Sequence, residues 1–334
     1  MRYGMEPRHN PGSFLTGDEP FMRMTRLDAG HDGFDASLVF EPHHEGFIGI
    51  PHGGLPMGLC LDAWRSLKGP DYPVQARFKF GGSGIGIGDE GLFSVRHSTQ
   101  NGGAHVSARL TKRGDKTPYL SAEIGRAAAQ EVGWVPSAPA NDFRALPYYR
   151  NCFVCGHHRS VVGLQRRFRL HEADNAPLVT AVWGADSDDA DRAQLFLIGT
   201  DELHPAVIIS IFDENTAWGG FMSTGCAGLS VRMEFTLLRP VAKHEHLLFV
   251  GRPSGIRGNR KSPRFFKAEG VVLGMADRQN PEVIAYGRGE WVILGLYTEQ
   301  IKKNLLPEDD WSWIFDASNA TEADTIRGYV PSGM

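Results

Sequence analysis

Two stretches decide the fold, and each reads as a version of the other. The first is Gly49-Ile50-Pro51-His52-Gly53-Gly54-Leu55-Pro56-Met57-Gly58-Leu59-Cys60-Leu61-Asp62-Ala63-Trp64. The second is Leu203-His204-Pro205-Ala206-Val207-Ile208-Ile209-Ser210-Ile211-Phe212-Asp213-Glu214-Asn215-Thr216-Ala217-Trp218. Each opens on a histidine, turns into a mostly apolar run and carries an acid near its far end. A run that is apolar almost all round is a buried helix rather than a surface one. Pro56 falls in the first turn, where a missing N–H costs little, and Gly69-Pro70 ends the pattern. The spacing predicts helices over 52–67 and 205–218. Helices this apolar have to be wrapped, and the flanking sequence is strand-like.

Working outward, 33–40 reads as a strand before the first helix. Strand-like runs follow it at 73–80, 91–99, 104–112 and 118–126. Asn101-Gly102 is a hairpin turn between two of them. The second half repeats the plan. Strands at 163–170 and 178–183 and a polar loop at 186–191 precede the second helix, and a meander at 229–238, 245–250, 264–273 and 283–294 follows. His52 answers His204 in register, and Ala76-Arg77-Phe78-Lys79-Phe80 answers Val231-Arg232-Met233-Glu234-Phe235. Internal duplication is therefore the organising expectation. It divides the chain into an arm (1–32), a first domain (33–130), a linker (131–150, rich in proline and alanine), a second domain (151–296) and an acidic, aromatic tail (297–334).

The totals fit this reading. The chain has 334 residues, 41% hydrophobic and 22% charged, enough for two ordinary domains with real cores. A formal charge of −4 gives no global electrostatic reason to expect nucleic acid. No apolar run reaches membrane-spanning length, and the first residues lack the apolar core of a secretion signal. Four cysteines are too few for a disulfide framework. The expectation is a cytoplasmic protein with no membrane partner.

Three local patterns invite a cofactor. Gly81-Gly82-Ser83-Gly84-Ile85-Gly86-Ile87-Gly88 has neither dinucleotide nor phosphate-loop spacing and no helix pattern after it, so it reads as a connection between strands. His43, His44 and Glu45 form a polar loop with no matching ligand pair at zinc spacing. Cys152-Phe153-Val154-Cys155-Gly156-His157-His158 has zinc-like spacing, but there is no second Cys-x-x-Cys, so ligands would have to come from elsewhere. The expectation is no metal and no redox cofactor.

The motifs resemble a known family. His52-Gly53-Gly54 opening a helix is similar to the HGG signature of hotdog-fold acyl-CoA thioesterases of the phenylacetyl-CoA type. Cys152-Phe153-Val154-Cys155-Gly156 with Gly163-Leu164 resembles the leader often found before that domain. Phe212-Asp213-Glu214-Asn215 resembles the helix segment carrying the catalytic acid, and Val231–Phe235 with Leu238-Arg239-Pro240-Val241 resembles the strand after it. The likeness covers about 33–295. It implies an α+β double hotdog: two tandem domains, each a long buried helix wrapped by a curled antiparallel sheet. It also implies a thioester hydrolase acting on an acyl-CoA or acyl carrier protein thioester, with coenzyme A present only as part of the substrate. Two such chains would be able to pair as a homodimer along their outer sheet edges.

The chemistry explains the spacing. Thioester hydrolysis needs a stabilised oxyanion and an attacking oxygen. A helix N-terminus supplies free N–H groups, and glycines there admit close approach. Asp213 lies nine residues past His204, roughly 13 Å along the axis at about 1.5 Å per residue. It must therefore serve the neighbouring, antiparallel helix. The halves have diverged in complementary ways. The first keeps His-Gly-Gly but has Leu61 at the acid position, with Asp62 one residue late, a rotation of about 100°. The second keeps Asp213 but begins His204-Pro205-Ala206, and Pro205 has no N–H to donate. One working site is expected, from His52, Gly53, Gly54 and Asp213, with Glu214 and Asn215 available to place water and His52 orienting rather than acting as base. The plainer role for Asp213 is a capped or paired core carboxylate. Arg257, Asn259, Arg260, Lys261 and Arg264 form a basic stretch suited to the phosphates of coenzyme A, although charge runs are usually solvated. A hotdog enoyl-thioester hydratase or dehydratase, and a non-catalytic acyl-thioester binding protein, are the rival readings.

Overall fold

The computed structural model describes residues 20–314 apart from 31, 69–70, 83, 101–102, 129–131, 133, 136–142, 158, 160, 162, 174–175, 185–186, 260–261 and 308–310. Most of the arm, the Asn101-Gly102 turn, Arg260, Lys261 and most of the tail lie outside the described residues.

The first half runs β1 (Met24–Gly30), β2 (Gly33–Val39), α1 (Gly54–Lys68), β3 (Val74–Phe80), β4 (Glu90–Gln100), β5 (Gly103–Lys112) and β6 (Leu120–Arg126). Next come β7 (Arg144–Ala145), β8 (Arg169–Ala173), β9 (Ala176–Trp183), α2 (Ser187–Gln194) and α3 (Pro205–Thr224). Then follow β10 (Gly228–Leu237), β11 (Leu247–Asn259), β12 (Ser262–Gly274), β13 (Glu282–Ile293) and α4 (Gly295–Asn304). The thirteen strands form one sheet, ordered β1-β2-β4-β5-β6-β3-β10-β13-β12-β11-β9-β8-β7, and every pair in it is antiparallel. Within each half the strand before the helix is followed across the sheet by the second, third, fourth and first strands after it. The halves join where β3 pairs β10, Phe78 opposite Met233 and Ala76 opposite Phe235.

The two long helices lie side by side in the core. A Cβ on Gly54 would fall 2.3 Å from Ser210, and one on Gly58 would fall 2.4 Å from Ala206. Gly54 therefore meets Ser210 while Gly58 meets Ala206, so the helices run antiparallel with backbones pressed together. In α3 every residue but Glu214 and Ala217 is buried. The predicted boundaries need one large correction. α3 continues six residues past Trp218, through Gly219-Gly220, to a left-handed cap at Gly225 (φ 60°). A Cβ on Gly220 would sit 2.1 Å from the Phe266 ring, so the glycine serves close helix–sheet packing rather than a break.

Three other expectations change. The predicted strand at 163–170 begins only at Arg169, because Leu164 and Arg166 donate their N–H groups to Phe153 and Val154 of the cysteine turn. The polar loop at 186–191 contains helix α2, anchored by a buried bidentate pair between Arg166 and Asp189. The start of the tail is helix α4, and Leu305–Leu306 beyond it pairs with Tyr148–Tyr149 of the expected linker. Among the described residues, no helix is long and apolar enough to cross a membrane.

Candidate active site

A cavity of about 520 Å³ opens where the start of α1 meets the middle of α3, within the usual range for small-molecule sites. Its walls are mostly apolar: Phe80, Tyr119, Trp218, Phe221, Trp291 and Ile301. Gly81, Gly82, Gly84, Ile85 and Gly86 form part of its lining, so the glycine run helps to shape the cavity. Glu214 and Ala217, the two residues of α3 that are not fully buried, both face it.

Asp213 comes from α3 and meets the α1 N-terminus across the cavity. A Cβ on Gly53 would lie 2.9 Å from Asp213 Oδ2, so the carboxylate reaches the backbone at a point where only glycine leaves room. Ser230 Oγ donates to Asp213 Oδ1 at 3.0 Å. Burial pushes the Asp213 carboxyl up to about 6, opposed by the nearby His52 and the Ser230 hydrogen bond. A carboxylate with that affinity for protons, aimed into a cavity, suits general-base chemistry near neutral pH.

His52 is fixed at both nitrogens. Gly54 N–H donates to Nδ1 at 3.0 Å, so the ring proton sits on Nε2, which faces Glu214 Oε2 at 3.3 Å. The ring accepts from the backbone at the start of α1. Gly54 needs correction. Its N–H is spent on His52, it does not line the cavity, and its lack of a side chain admits Ser210. Gly53 is the glycine of the pair that lines the cavity.

Glu214 lines the cavity and also accepts from Cys152 Sγ at 3.1 Å. Asn215 does not line it. Its Nδ2 donates to the Val179 carbonyl at 3.1 Å, tying α3 to the sheet, so its expected role in placing water is withdrawn. Arg257 and Arg264 do not line the cavity either. Arg257 pairs with Glu290 at 2.9 Å and stacks 3.7 Å over Phe265. That places it two residues along β13 from the lining residue Val292. Asn259 and Ser262 are described only as backbone at the strand ends.

Sequence reasoning missed the contribution of α4. Tyr297 and Ile301 of α4, and Leu305 in the extended segment just after it, line the cavity, and their spacing of four reads as a helical stripe in the sequence. It also missed Cys152 and Cys155, which form part of the wall. Burial pushes both thiols up, Cys155 the further, so neither is an ionised nucleophile near neutral pH without help.

The second half offers the mirror arrangement, and it is closed. Ala206 N–H donates to His204 Nδ1 at 3.0 Å, and His204 Nε2 faces Asp62 Oδ1 at 3.1 Å. Asp62 therefore corresponds to Glu214, and Leu61 occupies the place of Asp213. The space beside Leu61, Trp64 and Pro205 amounts to about 10 Å³, too little for a substrate.

No family model matches the chain, and no curated protein matches it by sequence. Solved structures do resemble it. The tesB protein of Mycobacterium avium subspecies paratuberculosis superposes with a TM-score of 0.54 at 12% identity, covering 80% of this chain and 96% of that one. The GphF dehydratase gives 0.50 at 13%, covering 81% and 97%. The acyl-CoA thioesterase II TesB2 of Mycobacterium marinum gives 0.49 at 13%, covering 81% and 94%. At such identities the likeness shows the fold alone. The fold shared with the tesB protein and the dehydratase is built here on a large antiparallel sheet around buried helices.

Proposed function

We propose that the chain is a tandem double hotdog that hydrolyses an acyl-CoA or acyl carrier protein thioester at one composite site. The carrying observation is the approach of Asp213 Oδ2, from the second half, to Gly53, from the first, inside a mostly apolar cavity. The thioester carbonyl oxygen accepts from Gly53 N–H at the positive end of α1. Asp213 takes a proton from water, and the resulting hydroxide attacks the carbonyl carbon. The tetrahedral oxyanion collapses, the C–S bond breaks, and the leaving thiolate takes the proton back from Asp213. His52 and Glu214 keep the Gly53-Gly54 backbone in place. The aromatic wall takes the acyl group, and the basic stretch at 257–264 takes the coenzyme phosphates, Arg257, Arg260, Lys261 and Arg264 supplying charge and Asn259 a neutral donor. No metal or redox group takes part in these steps.

A hydratase needs a histidine free to exchange protons with substrate. Both nitrogens of His52 are engaged within the protein, which favours hydrolysis. The likeness to a dehydratase is one of fold. Free thiol release measured across an acyl-CoA panel, alongside hydration of enoyl-CoA, tests the reading. Thiol release supports it; hydration without hydrolysis, or binding without either, overturns it.

A further inference from the structure

The Cys152 thiol stands at the head of a chain of hydrogen bonds whose direction is fixed from both ends. Val154 and Cys155 direct their N–H groups at Cys152 Sγ, at 3.3 and 3.4 Å. Those two donors take up the acceptor side of the sulfur, so the S–H has to point elsewhere. It points at Glu214 Oε2, 3.1 Å away. The same oxygen faces His52 Nε2 at 3.3 Å, and His52 Nδ1 accepts from Gly54 N–H at 3.0 Å. The Gly54 amide therefore puts the ring proton on Nε2, the turn amides send the thiol hydrogen outward, and the carboxylate receives both. Burial pushes the Cys152 thiol up, so it keeps that hydrogen near neutral pH.

The backbone beneath the thiol is held on both sides. Phe153 N–H donates to the Glu45 carbonyl at 2.7 Å, in the segment that leads to α1. Leu164 and Arg166 donate to the Phe153 and Val154 carbonyls at 2.8 and 2.7 Å, and Gly156 closes the turn on the Cys152 carbonyl at 2.8 Å. The sulfur is a fixed point. Glu214 is not: its carboxylate swings on several rotatable bonds from an α3 position that is not fully buried. A glutamate beside a cavity turns toward water unless donors hold it. His52 is one such donor, from the α1 side, and Cys152 is the other, from the turn.

The closed half lacks this prop. There Asp62 takes the place of Glu214 and faces His204 Nε2 at 3.1 Å, while Ala206 N–H donates to His204 Nδ1 at 3.0 Å. Among the described residues, Asp62 is hydrogen-bonded to His204 alone. The histidine and the acid are common to both halves, and the thiol belongs to the half with the cavity. Building the helix start does not require it, since the closed half builds the same start without one.

We propose that Cys152 is a positioning residue of the composite site: its thiol hydrogen holds Glu214 where the carboxylate accepts from His52, and through His52 it fixes the backbone that meets Asp213. Without the thiol, Glu214 turns away from the ring and the start of α1 is free to shift. The consequence for rate rests on the hydrolysis proposed above; the chain of hydrogen bonds does not.

The test compares wild type with Cys152→Ser, which keeps a hydrogen to donate, and Cys152→Ala, which does not. The alanine variant should lose about tenfold in kcat for thiol release, the effect of one hydrogen bond to a charged group, with KM within about twofold. The serine variant should recover most of that loss. In a Glu214→Gln background Cys152→Ala should cost no more than about twofold, because the two residues act as one unit. A second readout needs no substrate. In chain carrying isotope-labelled histidine, the His52 Nε2–H resonance is assigned by its loss in His52→Gln. Its hydrogen should exchange at least ~10-fold faster in Cys152→Ala than in wild type or Cys152→Ser. If the alanine variant does not fold, Cys152→Val takes its place in both readouts. Serine as damaging as alanine, additive losses with Glu214→Gln, or an unchanged His52 resonance would overturn the proposal. A chain that hydrolyses thioesters with an unchanged resonance refutes the positioning role alone. A chain whose resonance responds as stated but which releases no thiol supports the hydrogen-bond chain and refutes the hydrolysis alone.

Discussion

Replacing Asp213 with asparagine should move activity and stability in opposite directions. The change keeps the shape and the Ser230 hydroxyl as a partner, but it removes the base. Loss of a positioned general base costs typically 10²–10⁴-fold in rate, so kcat should fall at least about 100-fold with KM little changed. Stability follows from the raised carboxyl. Burial moves Asp213 from the ordinary 3.8 to about 6. Below 3.8 both folded and unfolded chains hold the proton and the group costs the fold nothing. Between 3.8 and about 6 only the unfolded chain ionises, so stability falls as pH rises, and the loss is complete above that window. At about 1.4 kcal/mol per pH unit the cost is on the order of 3 kcal/mol. The asparagine variant escapes it, so its denaturation midpoint should exceed the wild type's at pH 8, with the gap closing towards pH 4. The wild-type kcat/KM should rise with pH around 6 and be down roughly tenfold at pH 5, where about a tenth of Asp213 is ionised. The assays are thiol release across pH and urea denaturation at the two pH values. Near-full activity in the variant, or a wild-type profile flat through pH 6, refutes the assignment.

Further outcomes follow from the same geometry. Gly53→Ala should cut kcat about 100-fold, since a Cβ placed 2.9 Å from Asp213 Oδ2 forces the carboxylate or the backbone out of position; steady-state kinetics on folded protein checks it. Asp62→Ala should leave kcat within about twofold but lower the melting temperature, because the buried His204 Nε2 loses its acceptor, an effect of about 1–3 kcal/mol before allowance for the partial exposure of Asp62. A loss of activity matching Asp213→Asn would mean that both halves work. Neutralising Arg257, Arg260 and Lys261 together should raise KM for acyl-CoA but not for acyl-pantetheine; equal KM changes, or none, remove the phosphate role.

How much was legible in the sequence depended on what each residue's neighbours were. The two helices and most strands could be read because burial wrote itself as apolar runs and alternation. That Asp213 faces the other half was readable because nine residues of helix is too long a reach within one half. Gly54 was misread because its demand, room for Ser210, comes from a helix far away in sequence. Asn215 was misread because its partner, the Val179 carbonyl, belongs to a strand. The strand at 163–170 failed for a related reason: its N–H groups serve the cysteine turn, a contact with no local signature. Tyr297, Ile301 and Leu305 did carry a helical stripe, hidden within a tail that reads as acidic and aromatic.

The most direct measurement is a crystal structure with a non-hydrolysable acyl-CoA analogue that retains the carbonyl. The account predicts the carbonyl oxygen within hydrogen-bonding distance of Gly53 N, its carbon facing Asp213, and the acyl group against Trp218 and Phe221. An analogue seated beside Asp62 and Pro205, or one in the cavity with its carbonyl turned away from both Gly53 and Asp213, would contradict it.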